Sequence, residues 1–191
     1  MNDKLCSLIF YLIKKIPNLN KTEIVKLSYL ADYNFFKFFN TKITGVNYKY
    51  HNHGPFSTAI YDCIDRLENE NILKQDEKIS VNKHRKYYSF SIAESFDIDK
   101  FLNKQELEIL DFVVSEYGNL GYEKLTELSY KTEPMQNAKK DEELNFCDIR
   151  KSIQDKISKV KKDSLDNYSG EPPEFKENDD FLDYQYKIMS N

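Results

Sequence analysis

Apolar residues recur at spacings of three and four along most of the chain, and this helical period predicts a mostly helical protein. The stretches between them are polar or contain glycine and proline, which mark element ends. After residue 162 the chain is too polar and too interrupted by proline to hold a core by itself. The predicted helices cover residues 3–16, 21–39, 55–67, 103–117, 121–130 and about 144–161.

Capping signals accompany several of these helices. Asn20 is followed three residues later by Glu23, which is the spacing of a capping box at the start of the second helix. Pro55 stands where proline favours the first turn of the third helix. Gly118 follows the fourth helix and is expected at its left-handed closing position. Pro134 is expected to break the chain after the fifth helix.

Two helices carry clear apolar stripes that we expect to face the core. The stripe of the second helix consists of Ile24, Leu27, Leu30, Ala31, Phe35 and Phe38. The stripe of the third helix consists of Phe56, Ala59, Ile60, Cys63, Ile64 and Leu67.

Alternating patterns between the helices predict β structure. Residues 43–51 are expected to be extended, and the segments ILKQDEKISV and KYYSFSI predict a β-hairpin. In the second segment, every other residue is a large apolar one: Tyr88, Phe90 and Ile92. The turn of this hairpin is basic and consists of Lys83, His84, Arg85 and Lys86. The expected fold is therefore α+β and mostly helical, a compact helical domain with a small, winged-helix-like β-hairpin and further C-terminal helices.

Composition bounds the class of protein. A chain of 191 residues, 40% hydrophobic and 31% charged, is long enough for one soluble globular domain. It contains neither the roughly 20 consecutive apolar residues of a membrane helix nor the residue order of a signal peptide. Cys6, Cys63 and Cys147 lie far apart in apolar surroundings, so we expect reduced core cysteines in a cytoplasmic protein.

Charge divides the chain into a nearly neutral body and an acidic tail. Residues 1–162 carry a net charge of +2, whereas residues 163–191 carry −6 from eight acids and two lysines. We expect the first range to be the domain and the second an appendage that orders on a basic partner surface. An ordinary solubilising terminus fits the same composition equally well. The tail residues expected to contact a partner are Phe175, Phe181, Tyr184 and Tyr186.

His51 and His53 are the first candidates for chemistry, because two imidazoles on one face of a strand can bind a metal. A structural zinc site needs four ligands and a catalytic site usually three, and no further ligand cluster accompanies this pair. The nearest thiol, Cys63, belongs to a buried stripe. A polar turn is therefore the favoured interpretation, and we expect no metal, no cofactor and no catalytic residue.

The third helix is the second candidate, since a winged-helix protein would place such a helix in the major groove of DNA. Its outward face carries three acids and one arginine, which suits a solvated surface better than phosphate contact. The basic hairpin turn could still touch a phosphate backbone as a wing. The residues of that helix face are Asp62, Asp65, Arg66 and Glu68.

Three stretches together resemble the Panacea domain, also called the SocA-like or GepA-type domain. They are KTEIVKLSYLADY, then TGVNYKYHNHGPFSTAIYDCIDRLENENIL, and finally LSYKTEPMQNAK, in which Met135 stands where the family usually has tryptophan. The resemblance covers about residues 5–140, with its core motifs in 21–140. The motif residues are Lys26, Leu27, Tyr29, Leu30, Ala31, Asp32, Gly45, Tyr50, Gly54, Pro55, Phe56, Ile60, Tyr61, Leu67 and Pro134.

Members of this family are largely antitoxins of bacteria and phages that neutralise varied toxins by direct binding, and some deliver the toxin to a protease. The resemblance therefore implies a non-enzymatic antitoxin whose partner is a cognate toxin. Several motif residues, such as Leu27 and Leu30, are expected to be structural because they fall on core stripes. The residues expected at the edges of those stripes, and hence in contact with the partner, are Tyr29, Asp32, Tyr33 and Tyr61.

Two rival hypotheses remain open. The runner-up is a winged-helix transcriptional regulator that binds DNA through the basic hairpin turn. The less favoured rival is a metal-dependent hydrolase built on the histidine pair. The sequence identifies neither the toxin nor the oligomeric state.

Overall fold

Helices make up most of the computed structural model, which describes residues 3–79 and 86–166. The chain divides into two units, residues 1–154 and 155–191, and the described part of the second is the helical segment 155–166. The elements are α1 (Asp3–Lys15), α2 (Lys21–Phe39), β1 (Lys49–His51), β2 (Gly54–Phe56), α3 (Thr58–Asn69), β3 (Leu73–Ile79), β4 (Lys86–Ile92), α4 (Lys104–Tyr117), α5 (Tyr122–Tyr130), α6 (Glu133–Asn137) and α7 (Cys147–Asp166). The predicted α+β, mostly helical fold is confirmed.

The core of the first unit is built around α1 and α2. Nine residues of α1 and eleven of α2 are buried, so both helices are covered on more than one side. The predicted capping box at the start of α2 is confirmed. Asn20 Oδ1 accepts from the Glu23 amide at 3.0 Å, and Glu23 Oε2 accepts from the Asn20 amide at 3.1 Å.

The predicted hairpin is the antiparallel pair β3–β4, in which Leu73 pairs with Ile92 and Gln75 with Phe90. Phe90 is buried and its amide donates to the Leu19 carbonyl oxygen at 2.9 Å. Tyr88 and Ile92 are 49% and 37% exposed, so only the middle of this face reaches the core. Of the basic turn, Lys83, His84 and Arg85 lie outside the described residues, whereas Lys86 forms an ion pair with Glu77 at 2.8 Å.

A second hairpin replaces the predicted start of the third helix. Gly54–Phe56 is the strand β2, antiparallel to β1, and α3 begins only at Thr58 after Ser57. The prediction that Pro55 opens a helix was therefore wrong, and Phe56 is half-buried on the hairpin instead of lying on the α3 core stripe. Proline is tolerated at such an edge because it needs no amide partner there.

Two other expectations, on Phe38 and on the cysteines, also need correction. Phe38 was expected on the core stripe of α2 but is 56% exposed. The prediction failed because a helical period shows which side of a helix is apolar but not how far the neighbouring elements extend along it. Cys6 and Cys63 form a disulfide between α1 and α3, with their Cα atoms 5.7 Å apart. Cys147 is free and exposed, so the expectation of three reduced core cysteines was wrong.

Gly118 follows α4 as predicted, but its φ of −62° is right-handed, so it is not the left-handed residue expected there. Glycine is needed at this position because there is no room for a side chain. A Cβ at this position would clash with the Val114 carbonyl oxygen and would lie 3.1 Å from the buried side chain of Ile16.

We expect Gly118→Ala to lower the free energy of unfolding by about 1–3 kcal/mol, the usual cost of overpacking. Gly121→Ala is the matched control, because nothing lies within 4 Å of a Cβ there and φ is −73°. Chemical denaturation of both variants measures the difference. Equal unfolding free energies for the two variants would show that the contact with Ile16 does not constrain residue 118.

Candidate partner-binding site

Lys26 of α2 is buried against the β1–β2 hairpin. Its side chain is 2% exposed, and Nζ donates to the carbonyl oxygen of Pro55 at 2.9 Å. Burial lowers the pKa of Lys26 to about 8, because a low-dielectric environment disfavours the ammonium form. The contact therefore holds the hairpin at the cost of desolvating a cation.

Gly54 fits this contact for two reasons. It closes the two-residue loop Asn52–His53, pairs with His51, and has a φ of +91° that favours glycine. A Cβ on Gly54 would also lie 3.1 Å from Lys26 Nζ and 3.3 Å from its Cε. A larger residue would therefore strain the loop and push the hairpin away from α2.

Tyr130, the last residue of α5, holds the other side of the same loop. Its hydroxyl oxygen accepts from the Gly54 amide at 3.1 Å. The same hydroxyl donates toward the carbonyl oxygens of His51 and Asn52, which lie 3.2 and 3.0 Å from the hydroxyl oxygen. The ring of Tyr130 also packs edge-on against Tyr50 of β1 at 5.7 Å. One side chain thus fixes the loop from both strands.

Asp32 fixes the segment that leads into β1. This fully buried carboxylate accepts from the Thr44 amide at 2.9 Å, from the Thr44 hydroxyl and from the Tyr48 hydroxyl at 2.9 Å. Burial raises the pKa of Asp32, while these three hydrogen bonds act in the opposite direction. Its donors satisfy the carboxylate inside the protein, so its role is local order.

Tyr29 and Tyr33 connect α2 to the segment around α6. The Tyr29 hydroxyl lies 2.6 Å from Thr132 Oγ1, which itself donates to the Ser129 carbonyl oxygen. Because that donation uses the threonine proton, Tyr29 is the donor between the two hydroxyls. Tyr33 donates to Glu133 Oε2 at 2.7 Å, and Pro134 occupies the first turn of α6.

Four rings line up on the outer side of the β1–β2 hairpin and the start of α3. We call this set the ring stripe: His53, His51, Phe56 and Tyr61. Successive centroids are 6.2, 5.5 and 5.5 Å apart. The two histidines are exposed, while Phe56 and Tyr61 are half-buried. The stripe is an accessible aromatic surface on a hairpin held from beneath.

The family model described as Antitoxin SocA-like, Panacea domain, matches residues 24–136. The chain belongs to this family. The match runs from α2 to α6 and includes the hydrogen bonds that Lys26 and Tyr130 make to the hairpin. The backbone bonds of Tyr50 with Asp141 and Glu142, which also hold β1, reach beyond it. Neither the curated proteins nor the solved structures contain a match to the chain. Membership supports a role in a toxin–antitoxin system with a toxin as partner, and suggests a non-enzymatic regulator.

The residues expected to contact a partner differ in their exposure: some are fully buried and others are partly accessible. Tyr29 and Asp32 are fully buried, so the expectation that they lie at exposed edges was wrong. Tyr33 is half-buried and hydrogen-bonded, and Tyr61 belongs to the ring stripe of the Panacea domain. The motif residues Lys26, Leu27, Leu30, Gly54, Pro55 and Pro134 are buried. The tail residues Phe175, Phe181, Tyr184 and Tyr186 lie outside the described residues.

Sequence reasoning weighed the histidines only as metal ligands and missed their alignment with Phe56 and Tyr61. The available signal was the glycine at 54, which predicts a tight loop that returns the chain beside His51. In residues 3–79 and 86–166, no group of three or more histidine, cysteine or acidic side chains is placed to hold a metal ion. In the same ranges, no helix is long and apolar enough to cross a membrane.

Lys26 predicts a pH dependence of stability. Its pKa is about 8 in the folded protein and near 10.4 in an unfolded chain. Between these two pKa values the unfolded state binds more protons than the folded state, so the free energy of unfolding increases as the pH rises. Between pH 7 and pH 9.5 we expect the free energy of unfolding of the wild type to increase by about 1–2 kcal/mol relative to that of Lys26→Met.

Denaturation of both proteins across this pH range measures the effect. Tyrosines with raised pKa values, such as Tyr29 and Tyr33, occur in both proteins and cancel in the comparison. A constant difference between the two proteins would contradict titration of Lys26 in this range.

Proposed function

We propose that this Panacea domain is an antitoxin that neutralises its toxin by direct binding, and that the ring stripe is the contact surface. The observation that supports this most is the use of the motif residues. The motif residues Lys26 and Gly54 hold the β1–β2 hairpin, together with Tyr130, which lies inside the range matched by the family model. The side of the hairpin that remains accessible carries the ring stripe.

Aromatic rings are suited to this role. They offer a large apolar area with few rotatable bonds, and interface residues that dominate binding energy are enriched in them. Phe56 and Tyr61 are already half-buried and in contact at 5.5 Å, so they have little freedom left to lose. A surface ordered before binding avoids part of the entropic cost of association.

The proposal is tested with the product of the reading frame adjacent to the gene, co-expressed with the full chain. We expect Phe56→Ala/Tyr61→Ala to lose growth rescue and to weaken binding by a factor of about 30 or more, as for central interface residues. Phe38→Ala/Tyr88→Ala is the matched control, because it removes two exposed rings elsewhere. Folding of each variant is checked by circular dichroism and thermal unfolding.

If both double variants rescue growth and bind as wild type does, the ring stripe is not the contact surface. If the neighbouring protein is toxic and the wild-type chain neither binds nor relieves it, the antitoxin proposal itself fails for that pair. Immunoblotting of the toxin in the same strains tests delivery to a protease, since only delivery lowers its amount.

The acidic tail is proposed as a second contact. Residues 163–191 carry a net charge of −6 and aromatic side chains between the acids. Deletion of this range should weaken toxin binding by about tenfold, with the loss shrinking at high salt because charge attraction is screened. Isothermal titration at two salt concentrations measures this. Unchanged affinity at low salt would show that the tail is not a contact.

A further inference from the structure

The outward side of α3 continues the ring stripe as a row of acids. Asp62 and Asp65 are exposed and Glu68 is half-buried. Asp65 lies four residues after Tyr61 and three residues from both Asp62 and Glu68, and residues three and four apart on a helix are neighbours, so Asp65 joins the acids to the ring stripe. We call these three acids the acidic ridge.

Nearby cations leave much of this charge uncompensated. Arg66 is engaged away from the ridge, with Nη1 2.7 Å from Asp3 Oδ1 and Nε 2.7 Å from Glu70 Oε1. Among residues 3–79 and 86–166, no lysine, arginine or histidine nitrogen lies within 4 Å of the carboxylates of Asp62 and Glu68. The ridge therefore presents negative potential beside an aromatic surface.

Lys21 shows which chemical group fits where the two features meet. Its Nζ lies 2.8 Å from Asp65 Oδ1 and 5.6 Å from the centroid of the Tyr61 ring. The same ammonium is 6.0 Å from the ring of Phe90. A cation placed between a carboxylate and a ring face is attracted by both. Lys21 thus occupies a cation site built from this chain's own residues.

We propose that the acidic ridge and the adjoining ring stripe bind an arginine-containing cationic segment of a partner protein. Guanidinium groups suit both features, because they stack on aromatic faces and pair with carboxylates through two donors. One such group would displace Lys21 from Asp65 and Tyr61, and others would pair with Asp62 and Glu68. This inference names the partner chemistry of the proposed antitoxin surface and therefore rests on that function.

Charge also argues against a nucleic acid at the same place. A phosphate backbone would face three carboxylates along α3, with Arg66 held by Asp3 and Glu70. Bringing like charges together costs free energy, and phosphate binding depends on cations. A cationic protein segment has the opposite sign and is attracted.

The test uses an eight-residue peptide of alternating glycine and arginine, titrated into the full-length protein and followed by backbone amide NMR. We expect shifts in residues 51–68 that weaken with salt, and little binding of the same peptide with citrulline in place of arginine. Asp62→Asn/Asp65→Asn should weaken the peptide by a factor of about 5 or more. Glu108→Gln/Glu116→Gln, an equal charge change on exposed α4 residues, should change it by less than about twofold.

Lys21 supplies a second and opposite readout. Lys21→Gln should tighten the peptide by a factor of about 2–5, because it frees Asp65 and the Tyr61 ring for an incoming guanidinium. Lys104→Gln is its control, because Lys104 pairs with Glu108 on α4 and its substitution removes the same charge at a different place. Equal effects of the two lysine variants would mean that net charge alone acts, and would overturn the inference.

Other outcomes also decide the question. Shifts centred outside residues 51–68, equal loss in both acid variants, or unchanged binding by Phe56→Ala/Tyr61→Ala would each overturn the proposed cation site. Failure of this inference is separable from failure of the proposed function. If Asp62→Asn/Asp65→Asn neutralises the toxin as wild type does but Phe56→Ala/Tyr61→Ala does not, the ring stripe stands and the cationic partner is wrong.

Discussion

A buried lysine beside a glycine is the contact on which the rest of the proposed binding surface depends. Lys26 Nζ donates to the Pro55 carbonyl oxygen at 2.9 Å, and a Cβ on Gly54 would lie 3.1 Å from the same nitrogen. A buried ammonium group without a hydrogen-bond acceptor is costly, so Lys26 depends on the Pro55 carbonyl oxygen. A side chain at position 54 would push the hairpin and this acceptor away from Lys26. The β1–β2 hairpin sits where it does because these two residues fit each other.

Local patterns in the sequence predicted the larger elements and failed where an element was short. The period of three and four located α1, α2 and the body of α3, and the Asn20–Glu23 spacing located the start of α2. The strands of the first hairpin have only three residues each, which is too few to show a period. Pro55 fits both a first helical turn and an edge strand, and the loop closed by Gly54 selects the strand.

Tyr29 and Asp32 illustrate why the site could be predicted only in part. Both are polar residues at the margin of an apolar stripe, a pattern that usually indicates partial exposure. Tyr29 is buried because Thr132, 103 residues later, supplies an acceptor, and Asp32 because Thr44 and Tyr48 supply donors. A local period within one helix does not reveal partners that lie outside that helix. The motif therefore includes two residues that are buried where their position on the helix predicted an exposed edge.

The residues that hold the hairpin and the residues that it presents are different sets. In the described part of the chain, the side chains of His51, His53, Phe56 and Tyr61 donate and accept none of the hydrogen bonds that fix the loop. Those bonds use Lys26, Tyr130 and main-chain groups. Side chains on the ring stripe can therefore change without loss of the hairpin, whereas a change at Lys26 or Gly54 alters the position of every ring at once. A shared frame with replaceable contact residues is a physical basis on which one domain can be fitted to partners of different surface.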